Sequence, residues 1–201
     1  MRHAALLTGL VGNLVTLASI AAPTTIENFD NFTLDAKYAN WGAPSAVLTS
    51  GPTSYDIQAK GYGSGYKYLG KNIDASTNDT VQLGVTVRSG VAGFVVDISD
   101  SNNNGQQYAW YGLVPGGGKN GSNDYVLTMP VASGTFFQGS GVIDQSSISQ
   151  MNIGIDPGAS AAVPYDVSFN DLSFTNAASS PEPATLSLLA CGALLMARRR
   201  R

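Results

Sequence analysis

The chain has 201 residues, with 11 basic and 14 acidic side chains, 23 glycines, one histidine and one cysteine. His3 and Cys191 stand near its two ends, so the stretch between them has neither imidazole nor thiol, which excludes histidine-based hydrolases and His/Cys zinc sites there. Residues 22–176 carry six basic against thirteen acidic side chains, a net charge of −7 with no basic cluster, and this argues against nucleic acid as a partner.

Met1-Arg2-His3 forms a short positive start, followed by an apolar run from Ala4 to Ile20 that is interrupted by Asn13. Small residues at Ser19 and Ala21 fit a signal-peptidase site after Ala21, so residues 1–21 are expected to be a signal peptide, helical in the precursor. Residues 22–176 are then expected to form one domain with a core of its own.

No stretch of that domain keeps a 3.6-residue period. Alternation over four to eight residues recurs instead, bounded by Gly, Asn, Asp and Ser clusters, which is the pattern of strands and turns. Strands are expected at Ile26–Phe29, Ser45–Thr49 and Asp56–Lys60, the last leading into the segment GYGSGYKYLG. Val81, Leu83, Val85 and Val87 alternate with Gln82, Gly84 and Thr86, giving one buried and one wet face. Gly93–Ser99 follows with Phe94, Val96 and Ile98 as its inner set. Tyr108–Leu113, Tyr125–Met129, Thr135–Gln138 and Met151–Ile155 come next, and Tyr165–Phe174 closes the domain. The inward set of this last segment changes parity across Asn170-Asp171, which predicts a β-bulge. Nine or ten short strands without helices predict an all-β fold, specifically an antiparallel two-sheet β-sandwich of the jelly-roll kind.

Asp100, Asn102, Asn104 and Gly105 match the first half of a calcium loop, in which alternating oxygens converge on a hard cation. The twelfth position is Tyr111 where such a loop has a bidentate Glu, and a polar hairpin turn accounts for the same residues. Most other aspartates stand in turn-like contexts, where they cap their own backbone. A carboxylate-dependent glycan hydrolase or lyase needs only an acidic pair. The domain is nevertheless expected to be non-catalytic.

Aromatic residues are the stronger functional signal. Tyr62, Tyr66 and Tyr68 lie in the Gly-rich stretch, Tyr108, Trp110 and Tyr111 crowd one strand, and Trp41 follows an Asn-rich segment. Flat rings flanked by amides and hydroxyls suit the apolar faces and polar rims of sugars. Tyr108 and Trp110 share one strand face while Tyr111 points the other way, so at least one side is core, and core filling explains these rings equally well.

The last 22 residues read SPEPATLSLLACGALLMARRRR. Pro181-Glu182-Pro183 breaks regular structure, Ala184 to Ala197 is an apolar run expected to be a transmembrane helix, and Arg198, Arg199, Arg200 and Arg201 stay cytoplasmic by the positive-inside bias. The 14-residue run covers roughly 21 Å against a hydrocarbon core of roughly 30 Å, so it makes a short anchor. This arrangement resembles the PEP-CTERM sorting signal of exopolysaccharide-producing Gram-negative bacteria, here over residues 177–201. The resemblance implies export, transient inner-membrane association, and processing by signal peptidase and by the membrane enzyme exosortase. The destination it implies is the cell surface or extracellular matrix.

The order of the domain, from a Phe-Asp-rich start through an alternating middle to SFNDLSF, resembles the galactose-binding-like jelly rolls of carbohydrate-binding modules. That resemblance implies paired first and last strands and a structural calcium near them, for which Glu27 or Asp30 with Asp171 would be the ligands. No other cofactor is expected. The function expected is an exported, non-catalytic surface or matrix protein that engages exopolysaccharide through aromatic residues, or else a structural matrix protein without a specific ligand.

Overall fold

The computed structural model describes residues 21–34, 46–160 and 162–177. Residues 1–20 of the expected signal peptide, Trp41, and the tail with Pro181, Glu182, Pro183 and Arg198 to Arg201 lie outside the described residues.

Eleven strands follow one another in that part of the chain: β1 Thr24–Glu27, β2 Val47–Ser50, β3 Tyr55–Ala59, β4 Gly63–Ile73, β5 Thr80–Ser89, β6 Ala92–Asp100, β7 Gly105–Leu113, β8 Asp124–Pro130, β9 Thr135–Gln138, β10 Ile148–Ile155 and β11 Tyr165–Thr175. They form two antiparallel sheets. One runs β2-β3-β11-β5-β8 with β1 also pairing β11, and the other runs β4-β10-β6-β7-β9. This is the expected two-sheet sandwich, with first and last strands paired through Thr24 and Phe174. The Gly-Tyr-rich segment, read from sequence only as a continuation, is an eleven-residue edge strand.

Alternation builds the core. Val81, Leu83, Val85 and Val87 face inward from β5, and Val167, Phe169, Leu172 and Phe174 do so from β11. Phe94, Val96, Ile98, Tyr108, Met151, Ile153 and Ile155 meet them from the second sheet. Each fully buried Phe or Ile contributes about 1.5–3 kcal/mol. The expected bulge is present: the β11–β5 register skips between Phe169 and Asp171, which lets Phe169 and Leu172 both point inward.

The chain after β1 enters the core on two non-glycine residues with positive φ, Phe29 and Asn31. Glu27 Oε1 holds this turn by accepting the N–H groups of Asn28 (3.1 Å) and Phe29 (3.0 Å). Its other oxygen pairs with Lys67 of β4, whose Nζ lies 4.4 Å from the Phe32 ring centre. The Glu27–Lys67 pair therefore ties the two sheets together.

The residues named for calcium have protein partners in the structure. Asp100 Oδ1 accepts the N–H groups of Asn102 (2.8 Å) and Asn104 (3.0 Å), and Oδ2 accepts Asn104 Nδ2 (3.0 Å) and the Asp144 N–H (2.9 Å). Burial works to raise the pKa of this carboxyl, and the donors outweigh it and leave it low. Asn104 Oδ1 accepts the Ser140 N–H. The side-chain oxygens of Asp100 and Asn104 are thus engaged within a polar hairpin turn, the alternative that the sequence offered for this loop. Glu27 is committed to its turn and to Lys67, Asp30 Oδ2 accepts Asn28 Nδ2 (2.7 Å), and Asp171 is packed over Gly84. Among the described residues, no three acidic, His or Cys side chains are grouped to hold a metal.

Candidate functional site

Strand β6 is buried along its whole length, although only one of its faces meets the core. The other face, outside the sandwich, carries Val95, Asp97 and Ser99, and something must cover them.

The register of the five-stranded sheet identifies the cover. One cross-strand row on the outer face reads Tyr66, Asn152, Asp97, Gln107 and Thr135, from β4 to β9. The row beside it reads Tyr68, Gln150, Ser99, Gly105 and Gln138. On the other side, Ser64, Gly154, Val95 and Ala109 make a floor of small residues. In a flat sheet, strands four places apart lie roughly 19 Å apart, and side chains standing off them would keep that spacing. Tyr66 on β4 and Phe137 on β9 are four strands apart, yet their ring centres are 6.3 Å apart. The sheet is therefore curled into a trough, and rings from its two rims meet over the middle. Phe137 is the extra residue where the β7–β9 register shifts between Gly105 and Gln106, which frees it to lean inward. Gly105 makes room for it: a Cβ there would stand 2.9 Å from Phe137 Cδ1 and 2.7 Å from Ser99 Oγ.

Beneath the rings lies a polar set. Asn152 Nδ2 donates to Asp97 Oδ2 (2.6 Å) and Gln107 Nε2 to Asp97 Oδ1 (2.8 Å). Asp97 is only 2% exposed, and burial raises its pKa against the opposing pull of these two amides. Tyr66 is pushed up to about 12, first by burial and then by the nearby Asp97 charge. Asn152 Oδ1 is buried with no hydrogen-bond partner. Next to the rings, Tyr66, Tyr68, Asn103, Gln138 and Gln150 line a depression of about 270 Å³. Its amides are already oriented, Gln150 Nε2 donating to Asn103 Oδ1 (2.8 Å) and Gln138 Nε2 to Ser99 Oγ (2.9 Å). Such an array of rings and fixed amides can stack on a sugar face and hydrogen-bond its rim.

Of the residues singled out from sequence, Tyr66 and Tyr68 are in this trough. Tyr62 is exposed just before β4, and Tyr111, 60% exposed, is on the outer face of β7 beyond Ala109. Two of the candidate rings face the other side of the sheet. Tyr108 points into the core, fully buried, with its hydroxyl donating to the Val131 carbonyl (3.2 Å), and it cannot meet a ligand. Trp110 shares that inward parity, opposite Phe94, and its indole N–H donates to the Thr128 carbonyl of the other sheet (3.3 Å). It closes the end of the core.

Asp97, Asn152, Gln107, Gln138, Gln150 and Phe137 were missed. Asp97 and Asn152 did leave a signal: each is a polar residue in mid-strand, between Val96 and Ile98 and between Met151 and Ile153, away from any turn. Among the described residues, Asp97 has no acidic partner near it in the trough. Asp156, further along the same face, is four residues away in register, about 13 Å, beyond the roughly 5–9.5 Å of paired glycosidase carboxylates.

No protein-family model matches the sequence, and comparison with curated proteins finds no match. Solved structures do match the fold. The family 11 carbohydrate-binding module from Clostridium thermocellum, in complex with a β-1,3-1,4-mixed-linked tetrasaccharide, is 14% identical with a TM-score of 0.52, over 77% of this chain and 96% of that one. An agarase, AgWH50C, is 12% identical with a TM-score of 0.53, over 76% of this chain and 26% of that one. PfGH50B is 14% identical with a TM-score of 0.53, over 78% and 24%. The chain thus spans about a quarter of the agarase and of PfGH50B and nearly the whole of the binding module. The shared feature is the sandwich fold.

Proposed function

We propose that this chain is an exported, non-catalytic glycan-binding protein that holds a polysaccharide against the outer trough of its five-stranded sheet. The observation that carries the reading is the Tyr66–Asn152–Asp97–Gln107 row, with Tyr68, Gln150 and Gln138 beside it, on a sheet curled enough for rings from opposite rims to touch. The likeness over nearly the whole of a carbohydrate-binding module supports it, as does the amide-bound Asp97, which among the described residues lacks the second carboxylate a glycosidase would need. The PEP tripeptide, apolar run and four arginines of the tail support sorting to the cell surface or matrix by an exosortase.

The test is retention of the full chain in gels containing agarose, mixed-linkage β-glucan, mannan or bacterial exopolysaccharide. Tyr66→Ala and Tyr68→Ala are each expected to weaken retention about tenfold, the loss of roughly one stacking contact. Trp110→Phe, altered away from the trough, should bind as the parent does. Failure of the parent chain to be retarded by any polymer would leave a structural matrix role in its place.

A further inference from the structure

We infer that the trough selects uncharged glycans over uronate-containing ones, through a sugar hydroxyl donated to Asn152 Oδ1 beside the buried Asp97 carboxylate. The inference rests on the glycan-binding reading above.

Asn152 is 4% exposed. Its amide orientation is fixed by chemistry: Nδ2 donates to Asp97 Oδ2, and a flipped amide would set two acceptors against each other. Oδ1 is thereby turned away from Asp97, on the face whose cross-strand neighbour is Tyr66, and no protein donor meets it. A buried acceptor left unmet keeps the cost of its lost hydration, and a ligand that brings a donor removes that cost. A sugar hydroxyl is such a donor.

A carboxylate is not. It offers acceptors only, and it would bring a second negative charge beside Asp97 where water is scarce. Both Asp97 oxygens are already engaged by Asn152 and Gln107, so the carboxylate itself has limited room to take a ligand donor. Asp97 acts as a positioning residue: it locks the Asn152 amide with its oxygen outward, and it repels anionic rings. The cover of Tyr66 and Phe137 parts to admit the sugar, and its closure keeps the contact dry, which strengthens both the hydrogen bond and the repulsion.

The test compares the full chain on neutral polymers (mixed-linkage β-glucan, mannan, agarose) and uronates (alginate, polygalacturonate). It is run at about 0.5 M salt so that the overall negative charge of the chain is screened. The parent is expected to bind at least one neutral polymer about tenfold or more tighter than either uronate. Asp97→Asn, which keeps the side-chain shape, should narrow that gap about tenfold while its melting temperature reports intact folding. Asn152→Ala, checked the same way, should lose neutral binding and gain nothing on uronates. Equal or tighter binding of the parent to a uronate overturns the inference and leaves glycan binding standing. So does unchanged selectivity in a folded Asp97→Asn protein. Retention by no polymer overturns the glycan-binding reading and this inference with it.

Discussion

Asp97 is a carboxylate whose burial disfavours its charged form, so the folded protein holds its proton more tightly than the unfolded chain does. The sign follows by linkage. Its contribution to stability is fully present below the ordinary aspartate pKa and is lost as pH rises through the raised one. Asp97→Asn is expected to remove this loss, so that the melting temperature falls less between pH 4 and pH 8 than it does in the parent. Thermal melts over that range check it, and an equally steep fall in the mutant would contradict it. Asp100 behaves oppositely. Its donors hold it low, so its contribution is present above the ordinary aspartate range and is lost as pH falls through the lowered value. Both are aspartates in β6, but Asp97 is the more deeply desolvated and is met by two side-chain amides, whereas four donors converge on Asp100. Sequence shows why Tyr108 was named beside Tyr66 and Tyr68 although it lies in the core. Alternation puts Tyr108 and Trp110 on one face of β7, and nothing within nine residues tells which face is core.

At the scale of elements, β5 and β6 are consecutive and belong to different sheets, joined only by Gly90 and Val91. Gly90 has φ of 80°, and a Cβ there would stand 2.6 Å from the Pro164 carbonyl and 3.0 Å from Tyr165 Cα. Both neighbours are backbone leading into β11, so neither yields easily. Gly90→Ala is expected to destabilise the protein by about 2 kcal/mol or more, through strain at a left-handed position combined with a clash. Urea unfolding measures it, and a cost under about 0.5 kcal/mol would mean that the corner is looser than its geometry indicates. Strand positions, the inner set of β6 and the bulge at Asn170-Asp171 were legible because each is a local pattern. The trough was not, because it depends on register between distant segments. Asp97 and Asn152 are 55 residues apart, and Tyr66 and Phe137 are 71 apart in the chain. β4 was hidden for another reason: its glycines and tyrosines read as a loop until the edge of a sheet gives them a partner in β10.

For the whole molecule, the region between the two apolar ends is net negative and contains no cysteine, so its coherence comes from the sandwich core and from links such as Glu27–Lys67. Arg88 adds a second link, joining Asp166 (2.9 Å) and Asp56 (3.0 Å) across three strands on the opposite outer face. That face carries charged pairs where the trough carries rings and amides, so the two sides of the molecule differ in kind. On the proposed route to the surface, replacing Pro181 or Glu182 should leave the protein membrane-bound with its tail intact. Fractionation and mass determination of the released protein would show it, and normal release of the mutant would speak against exosortase processing.

The contact between Tyr66 and Phe137 also bears on kinetics. A polymer arriving at a trough that is shut must wait for the rings to separate. Observed binding rates should then climb with oligosaccharide concentration and level off at the opening rate, a plateau that stopped-flow fluorescence would record. Phe137→Ala removes one ring, and its rates should keep rising in proportion to concentration. Tightness of grip would then be set by the sugar, and speed of capture by an edge strand four residues long.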